Sequence, residues 1–234
     1  MALDQADLDR VLHALAPVLM LDSCSLLDII REPMRKDCRV GNVKASMALL
    51  QAAETPSKLT VLIADQVSLE LRDNLPQVLS SASEAMASYI KQAAHIDRVA
   101  TEFGAAGSMD TAHLQDHIQR AKSVFDRWIK VAINVQSSPQ VPSKAMHRVR
   151  HAIAPARRGK ENSKDCFVTE SYLEAAAQLN AAGFSGLMVF GSSNINEYLD
   201  AITNRPPAPL DAHFMAERIV YAHSYQAMKK ALLL

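Results

Sequence analysis

Residues 17–28, Pro17-Val18-Leu19-Met20-Leu21-Asp22-Ser23-Cys24-Ser25-Leu26-Leu27-Asp28, hold an apolar run that ends in an acid, then small polar residues, then an apolar pattern at helical spacing. A short unbroken apolar run predicts a strand buried on both faces, as strands of a parallel sheet are. That strand is expected over 17–22, with Asp22 at its carboxyl end and Ser23 or Ser25 opening a helix over 23–31. In open α/β sheets ligands gather beyond the carboxyl ends of the strands, so an acid placed there is a candidate for chemistry.

Two further runs share this character, Leu59–Ala64 and Leu187–Phe190. Apolar spacing predicts helices around them at 4–15, 43–54, a stretch after Asp65 that carries Glu70, 76–103, 110–134, 143–153, 164–182, 195–203 and 211 to the end. Pro76 is expected to separate the helix of Glu70 from the next, because proline lacks the helical N–H. All seven glycines are expected between the periodic segments. Strands alternating with helices give the fold class: α/β, a small parallel sheet flanked by helices in three layers. The long helices at 76–103 and 110–134, joined through Gly104–Ser108, predict a helical hairpin. Residues 76–153 are then a helical insertion in a single domain spanning 1–234.

With 234 residues, 49% of them hydrophobic, the chain has the material for a proper core. Its net charge of zero gives no whole-chain attraction to nucleic acid or membrane. Three cysteines without CxxC spacing argue against a disulfide framework and for a reducing compartment, with the thiols as buried structural groups. No apolar run approaches the ~20 residues that span a bilayer. The acidic first residues do not resemble a secretory leader, so a cytoplasmic protein with no membrane partner is expected. Self-association stays open.

Charge is nevertheless segregated. No Asp or Glu lies between Asp126 and Glu161. That interval and its edge carry Lys144, Arg148, Arg150, Arg157, Arg158, Lys160 and Lys164, a candidate rail for nucleic-acid phosphates. The plainer reading is a basic face paired with acids elsewhere. His113/His117 and His147/His151 are i,i+4 pairs, but neither has a third zinc ligand nearby.

Four polar positions occupy matching places: Asp22 after the first strand, Glu70 in the helix after the second, Asp165 opening the helix before the third, and Asn194 after the third. Right-handed crossovers would bring them to one sheet edge. Asp165 as a dipole partner, Glu70 on a wet helix face and Asn194 as a turn residue are the plainer alternatives.

Here the chain resembles the PIN-domain nucleases. Val18–Asp28 resembles their opening strand, Val67-Ser68-Leu69-Glu70 their second motif, Lys164-Asp165-Cys166-Phe167-Val168-Thr169-Glu170 their third, and Val189-Phe190-Gly191-Ser192-Ser193-Asn194-Ile195-Asn196 their fourth. The match is greatest to a bacterial subgroup with a helical insertion between the second and third motifs. The resemblance implies a Mg²⁺- or Mn²⁺-dependent phosphodiesterase, usually acting on single-stranded RNA. Asp22, Glu70 and Asp165 would be ligands of the hard cation, and Asn194 would complete the catalytic group. Ser23, Ser192 and Asn196 would orient water or phosphate around them, and Glu170 would be a further acid at the rim. Many family members carry Asp where this chain has Asn194. That departure leaves open a catalytically weakened module that binds RNA or a protein partner.

Overall fold

The computed structural model describes residues 1–35 and 38–234. Strand β1 (Val18–Leu21) is the centre of a five-stranded parallel sheet. On one side of it lie β2 (Thr60–Ala64) and β3 (Ile133–Val135), and on the other β4 (Met188–Gly191) and β5 (Ile219–Ala222). Val18 stands level with Thr60 on one neighbour and with Met188 on the other. Every residue of β1 and β4 is buried, as the apolar runs require.

The helices are α1 (Gln5–Ala14), α2 (Ser23–Arg31), α3 (Val40–Glu54), α4 (Asp65–Glu102), α5 (His117–Val131), α6 (Gln140–His151), α7 (Ser163–Ala181), α8 (Ile195–Tyr198), α9 (Ala208–Ala216) and α10 (Tyr225–Ala231). They cover both faces of the sheet. Adjacent strand residues point to opposite faces. Phe190 meets Tyr172 of α7 and Phe214 of α9, whereas a methyl group at Gly191 would run into Met228 of α10. On the α10 side, Trp128 of α5 lies 5.9 Å from Tyr225, ring centre to ring centre. Among the described residues, no helix is long and apolar enough to cross a membrane.

The α/β sandwich matches the expected class, and several elements differ in detail. Three strands were legible, and five form among the described residues. The residues of β3 merge into the amphipathic pattern of the preceding helix, and their alternation of buried, exposed and buried marks an edge strand. The four residues of β5 interrupt what reads as one C-terminal helix. The expected helix at 195–203 stops at Tyr198. Residues 76–153 therefore contribute β3 to the sheet as well as helices. The chain leaves α4 through a turn at Phe103–Gly104, where Gly104 has a positive φ, and reaches α5 along an irregular stretch with one 3-10 turn at Ala112–Leu114.

Helix α4 runs unbroken through Pro76 for 38 residues. Val67 and Leu71 before the proline and Val78 and Ala82 after it are all buried. Burial on both sides outweighs the roughly 3 kcal/mol that an interior proline costs. Asp65 is the first residue of α4. Its carboxylate accepts hydrogen bonds from Asn134 Nδ2 and the Ser137 N–H, which ties the helix to β3. Two glycines also sit inside elements, Gly41 in α3 and Gly191 in β4. At Gly41 an added Cβ would lie 2.7 Å from Nε2 at the end of the Gln226 side chain, which would have to turn aside.

Candidate active site

The chain runs outward from β1 through β2 to β3, then returns to the other flank of β1 for β4 and β5. The strand order reverses beside β1, and in such sheets that is where a crevice opens at the carboxyl ends. Asp22 follows β1 directly, and Ser192–Asn194 follow β4. The Asp22 N–H donates to the Gly191 carbonyl (3.0 Å), so the pairing of the two strands continues into the site.

Asp22 is 4% exposed. Its Oδ1 accepts the Ser23 N–H (2.7 Å), and its Oδ2 accepts Ser192 Oγ (2.6 Å) and Cys24 Sγ (3.0 Å). Cys24 is therefore not a bystander thiol: burial and then the charge of Asp22 push its pKa far up, which keeps it a neutral donor. Ser23 Oγ donates to Glu70 Oε2 (2.5 Å), linking the end of β1 to the first turns of α4. Gln66 Nε2 supports the other Glu70 oxygen at 3.2 Å. Asp165, in the first turn of α7, accepts Asn194 Nδ2 at 3.4 Å.

The loop after β4 is held on all sides. Ser193 donates to Asp28 Oδ2 (2.7 Å) and its N–H to Ser25 Oγ (3.0 Å), while Tyr221 donates to the Ser192 carbonyl (2.8 Å). Tyr172 of α7 does a related task between β1 and β2. Their register runs only as far as Met20 opposite Leu62. Beyond that point the Tyr172 hydroxyl donates to the Leu21 carbonyl (2.5 Å) and accepts the Ala64 N–H (3.1 Å). It thereby fixes the two strand ends from which Asp22 and Glu70 start.

The electrostatics follow from crowding. Burial, then the charges of Asp22, Glu197 and Glu70, raise the Asp165 carboxyl to about 7. Burial raises Glu70 as well, and the charge of Asp22 adds to it, with Ser23 and Lys164 opposing. Among the described residues, no Lys, Arg or His forms an ion pair with Asp22, Glu70 or Asp165. A cluster of oxygen donors that repel one another and are not neutralised by direct ion pairs suits a hard divalent cation. As the side chains stand, no three His, Cys, Asp or Glu groups among the described residues close tightly enough to hold an ion. The Ser23 hydroxyl between Asp22 and Glu70 accounts for part of that spacing. Mg²⁺ commonly keeps several waters and takes one or two carboxylates, which such spacing accommodates.

Asp22, Glu70, Asp165, Asn194, Ser23 and Ser192 thus share one end of the sheet. Glu170 does not join them. It is buried against Arg148, whose guanidinium also donates to the Ala154 carbonyl (2.5 Å) and to His213 Nδ1 (3.0 Å). Arg148 is 3% exposed and is a structural cation, not part of an open rail. Lys144 lies with it beside a cavity of about 570 Å³ between α6, α7 and α9. Asn196 turns toward a different cavity, beside Ser193, His223 and Gln226. Arg127 pairs with Glu54, at 2.7 Å. Arg150 and Arg158 are exposed. Lys164 is exposed and near enough to Glu70 to hold its pKa down.

The residue that sequence reading passed over is Glu197. It lies near Asp165, accepts Asn162 Nδ2, and attracts Lys160 (3.5 Å) and Arg157 (3.9 Å). Its signal is its place three residues after Asn194, one helical turn on, in α8. Through Glu197 the two cations are drawn against the acidic cleft.

A family model described as PIN domain matches residues 19–198, more than half of the 234-residue chain. None of the curated proteins or solved structures compared matches the chain.

Proposed function

The chain belongs to the PIN domain family, whose members are generally nucleases, and on that premise we propose a Mg²⁺- or Mn²⁺-dependent endoribonuclease that cleaves single-stranded RNA. The observation that carries this reading is the meeting of Asp22, Glu70 and Asp165, from three separate elements, in one cleft where Asp165 is held neutral up to about pH 7. Asp22, Glu70 and Asp165 would hold the cation. When bound, it would polarise a phosphate oxygen and lower the pKa of an attached water for in-line attack. Ser192 and Ser23 keep the carboxylates of Asp22 and Glu70 aimed, because each donates a hydrogen bond to one of them. Lys160, Arg157 and Lys164 flank the cleft and would position the RNA backbone. The protein supplies no side-chain nucleophile in this scheme, which agrees with the fully engaged, neutral Cys24.

One observation favours a second reading, a binding module with weakened catalysis. Asn194 contributes an amide hydrogen bond to Asp165 where an acid would contribute charge. Incubation with labelled single-stranded RNA, duplex RNA and DNA in Mn²⁺, with and without EDTA, separates the two. The nuclease reading expects cleavage of single-stranded RNA that EDTA and Asp22→Asn each abolish. Salt-sensitive binding without turnover would establish the binding module instead.

A further inference from the structure

A second cavity opens one residue away from the acids. Ser192 donates to Asp22, whereas the next residue, Ser193, donates to Asp28 and faces a cavity of about 460 Å³ between α2, the start of α3, α8 and the loop after β5. Helix α8 divides the two places: Asn194 and Glu197 turn to Asp165, while Asn196 lines the cavity. Two charged groups in the cavity wall are unused. Glu32 Oε2 is buried without a hydrogen-bond partner among the described residues. Arg39 is exposed and, among the described residues, has no ion-pair partner. Asp28, the other acid of the wall, is already taken by Ser193, Arg31 and Arg35. A buried carboxylate oxygen left without a donor is costly, so Glu32 marks a place where an incoming donor is favoured. Past Glu32 the wall continues into a more apolar cavity lined by Ile29, Val43 and Met47.

Resting on the ribonuclease reading of the neighbouring acids, we propose that this cavity is a nucleobase subsite of the same cleft. The base it takes is guanine, in the nucleotide next to the phosphate held at Asp22, Glu70 and Asp165. Guanine matches the two unused groups. Its N1–H and N2 amino donors lie side by side and suit one carboxylate, which Glu32 offers. Its O6 and N7 acceptors suit one guanidinium, which Arg39 offers. Adenine has no ring N–H on its pairing edge, so it brings the carboxylate no paired donors. Cytosine and uracil lack N7. The apolar lining past Glu32 gives a flat ring a surface to lie on. Reach agrees as well. Ser192 and Ser193 are consecutive, with Cα atoms about 3.8 Å apart, so the two places are near enough for adjoining nucleotides of one strand.

Fluorescence anisotropy of short single-stranded RNA with the full chain in EDTA tests this. An oligouridylate carrying one guanosine is expected to bind about tenfold tighter than oligouridylate alone. Exchanging that guanosine for inosine, which lacks the N2 amino group, or for 7-deazaguanosine, which lacks N7, should each remove most of the gain in the wild-type protein. Glu32→Gln and Arg39→Ala should each erase the preference, whereas Lys160→Ala should weaken both oligomers alike and keep it. Equal affinity for the two oligomers overturns the proposal, as does an adenosine that binds as tightly as the guanosine, or a preference that inosine retains in full. Guanosine monophosphate that binds while guanosine in the oligomer adds nothing would assign the cavity to a free nucleotide and overturn its place in the substrate cleft. No readout involves added metal or cleavage. RNA cutting in Mn²⁺ without a guanine preference sinks the subsite alone, and a guanine preference without cutting sinks the nuclease reading alone.

Discussion

Replacing Asp165 with Asn removes one of the crowded charges and keeps the side chain's shape, so the folded protein should gain stability when no cation is present. The carboxyl stands at about 7 in the folded chain against an ordinary 3.8. Each unit of such a difference is about 1.4 kcal/mol, so full ionisation costs the folded state at most about 4 kcal/mol. Asp165 retains some exposure to water, which reduces the expected cost to roughly 2 kcal/mol. The sign follows from proton counts. Between pH 4 and 7 the folded carboxyl binds a proton that the unfolded one has released, so the wild type loses stability across that window as pH rises. Urea melts in EDTA should therefore show wild type and Asp165→Asn equally stable below about pH 4. They should diverge through pH 7 and differ by a constant roughly 2 kcal/mol above it. Millimolar Mn²⁺ should raise wild-type stability and leave the variant where it was. Curves that stay parallel from pH 4 to 8 would refute the claim that Asp165 faces Asp22, Glu70 and Glu197 in the fold.

Other outcomes follow from individual contacts. Tyr172→Phe strands the Leu21 carbonyl and the Ala64 N–H, and should cost about 1–3 kcal/mol in denaturant melts; a loss below the error of the fit would deny the hydroxyl its bridging role. Arg148→Ala leaves Glu170 buried and alone and should cost about 3–5 kcal/mol, whereas Arg148→Met with Glu170→Leu should recover most of it; equal costs for the two proteins would contradict a buried pair. Lys160→Ala and Lys164→Ala should each flatten the salt dependence of single-stranded RNA binding by about 0.7 in log–log slope, while the exposed Lys44 on α3 changed to Ala should leave it unaltered. Asn194→Asp should tighten Mn²⁺ binding in calorimetry and lower cation-free stability, and an unchanged affinity would place residue 194 outside the cation's reach.

The parts of the fold that were legible in the sequence are those where burial alone dictates the pattern. Strands β1, β2 and β4 are interior or nearly so, and their apolar runs admit few other readings. The edge strands β3 and β5 are three and four residues long and partly exposed, so their patterns do not stand out from helical neighbours. Pro76 misled for a related reason: a local rule predicts a break, and packing along α4 overrides it. At the site, Asp22 and Asn194 could be placed because strand ends position them directly. Charged residues on helices were harder. Arg148 and Glu170 lie 22 positions apart and find each other only through the packing of α6 on α7, so one basic residue of the expected rail and one expected acid cancel in the interior. Glu197 escapes sequence reading because the fourth motif of the resemblance ends at Asn196, one residue short of it, although both lie in the expected helix.

Manganese binding followed by electron spin resonance tests most directly whether three acids from three elements share one cation. The account predicts one Mn²⁺ taken up per chain, with the bound signal lost in Asp22→Asn, Glu70→Gln and Asp165→Asn proteins that remain folded. Uptake that survives all three substitutions, or no uptake by the wild type at millimolar Mn²⁺, would contradict it.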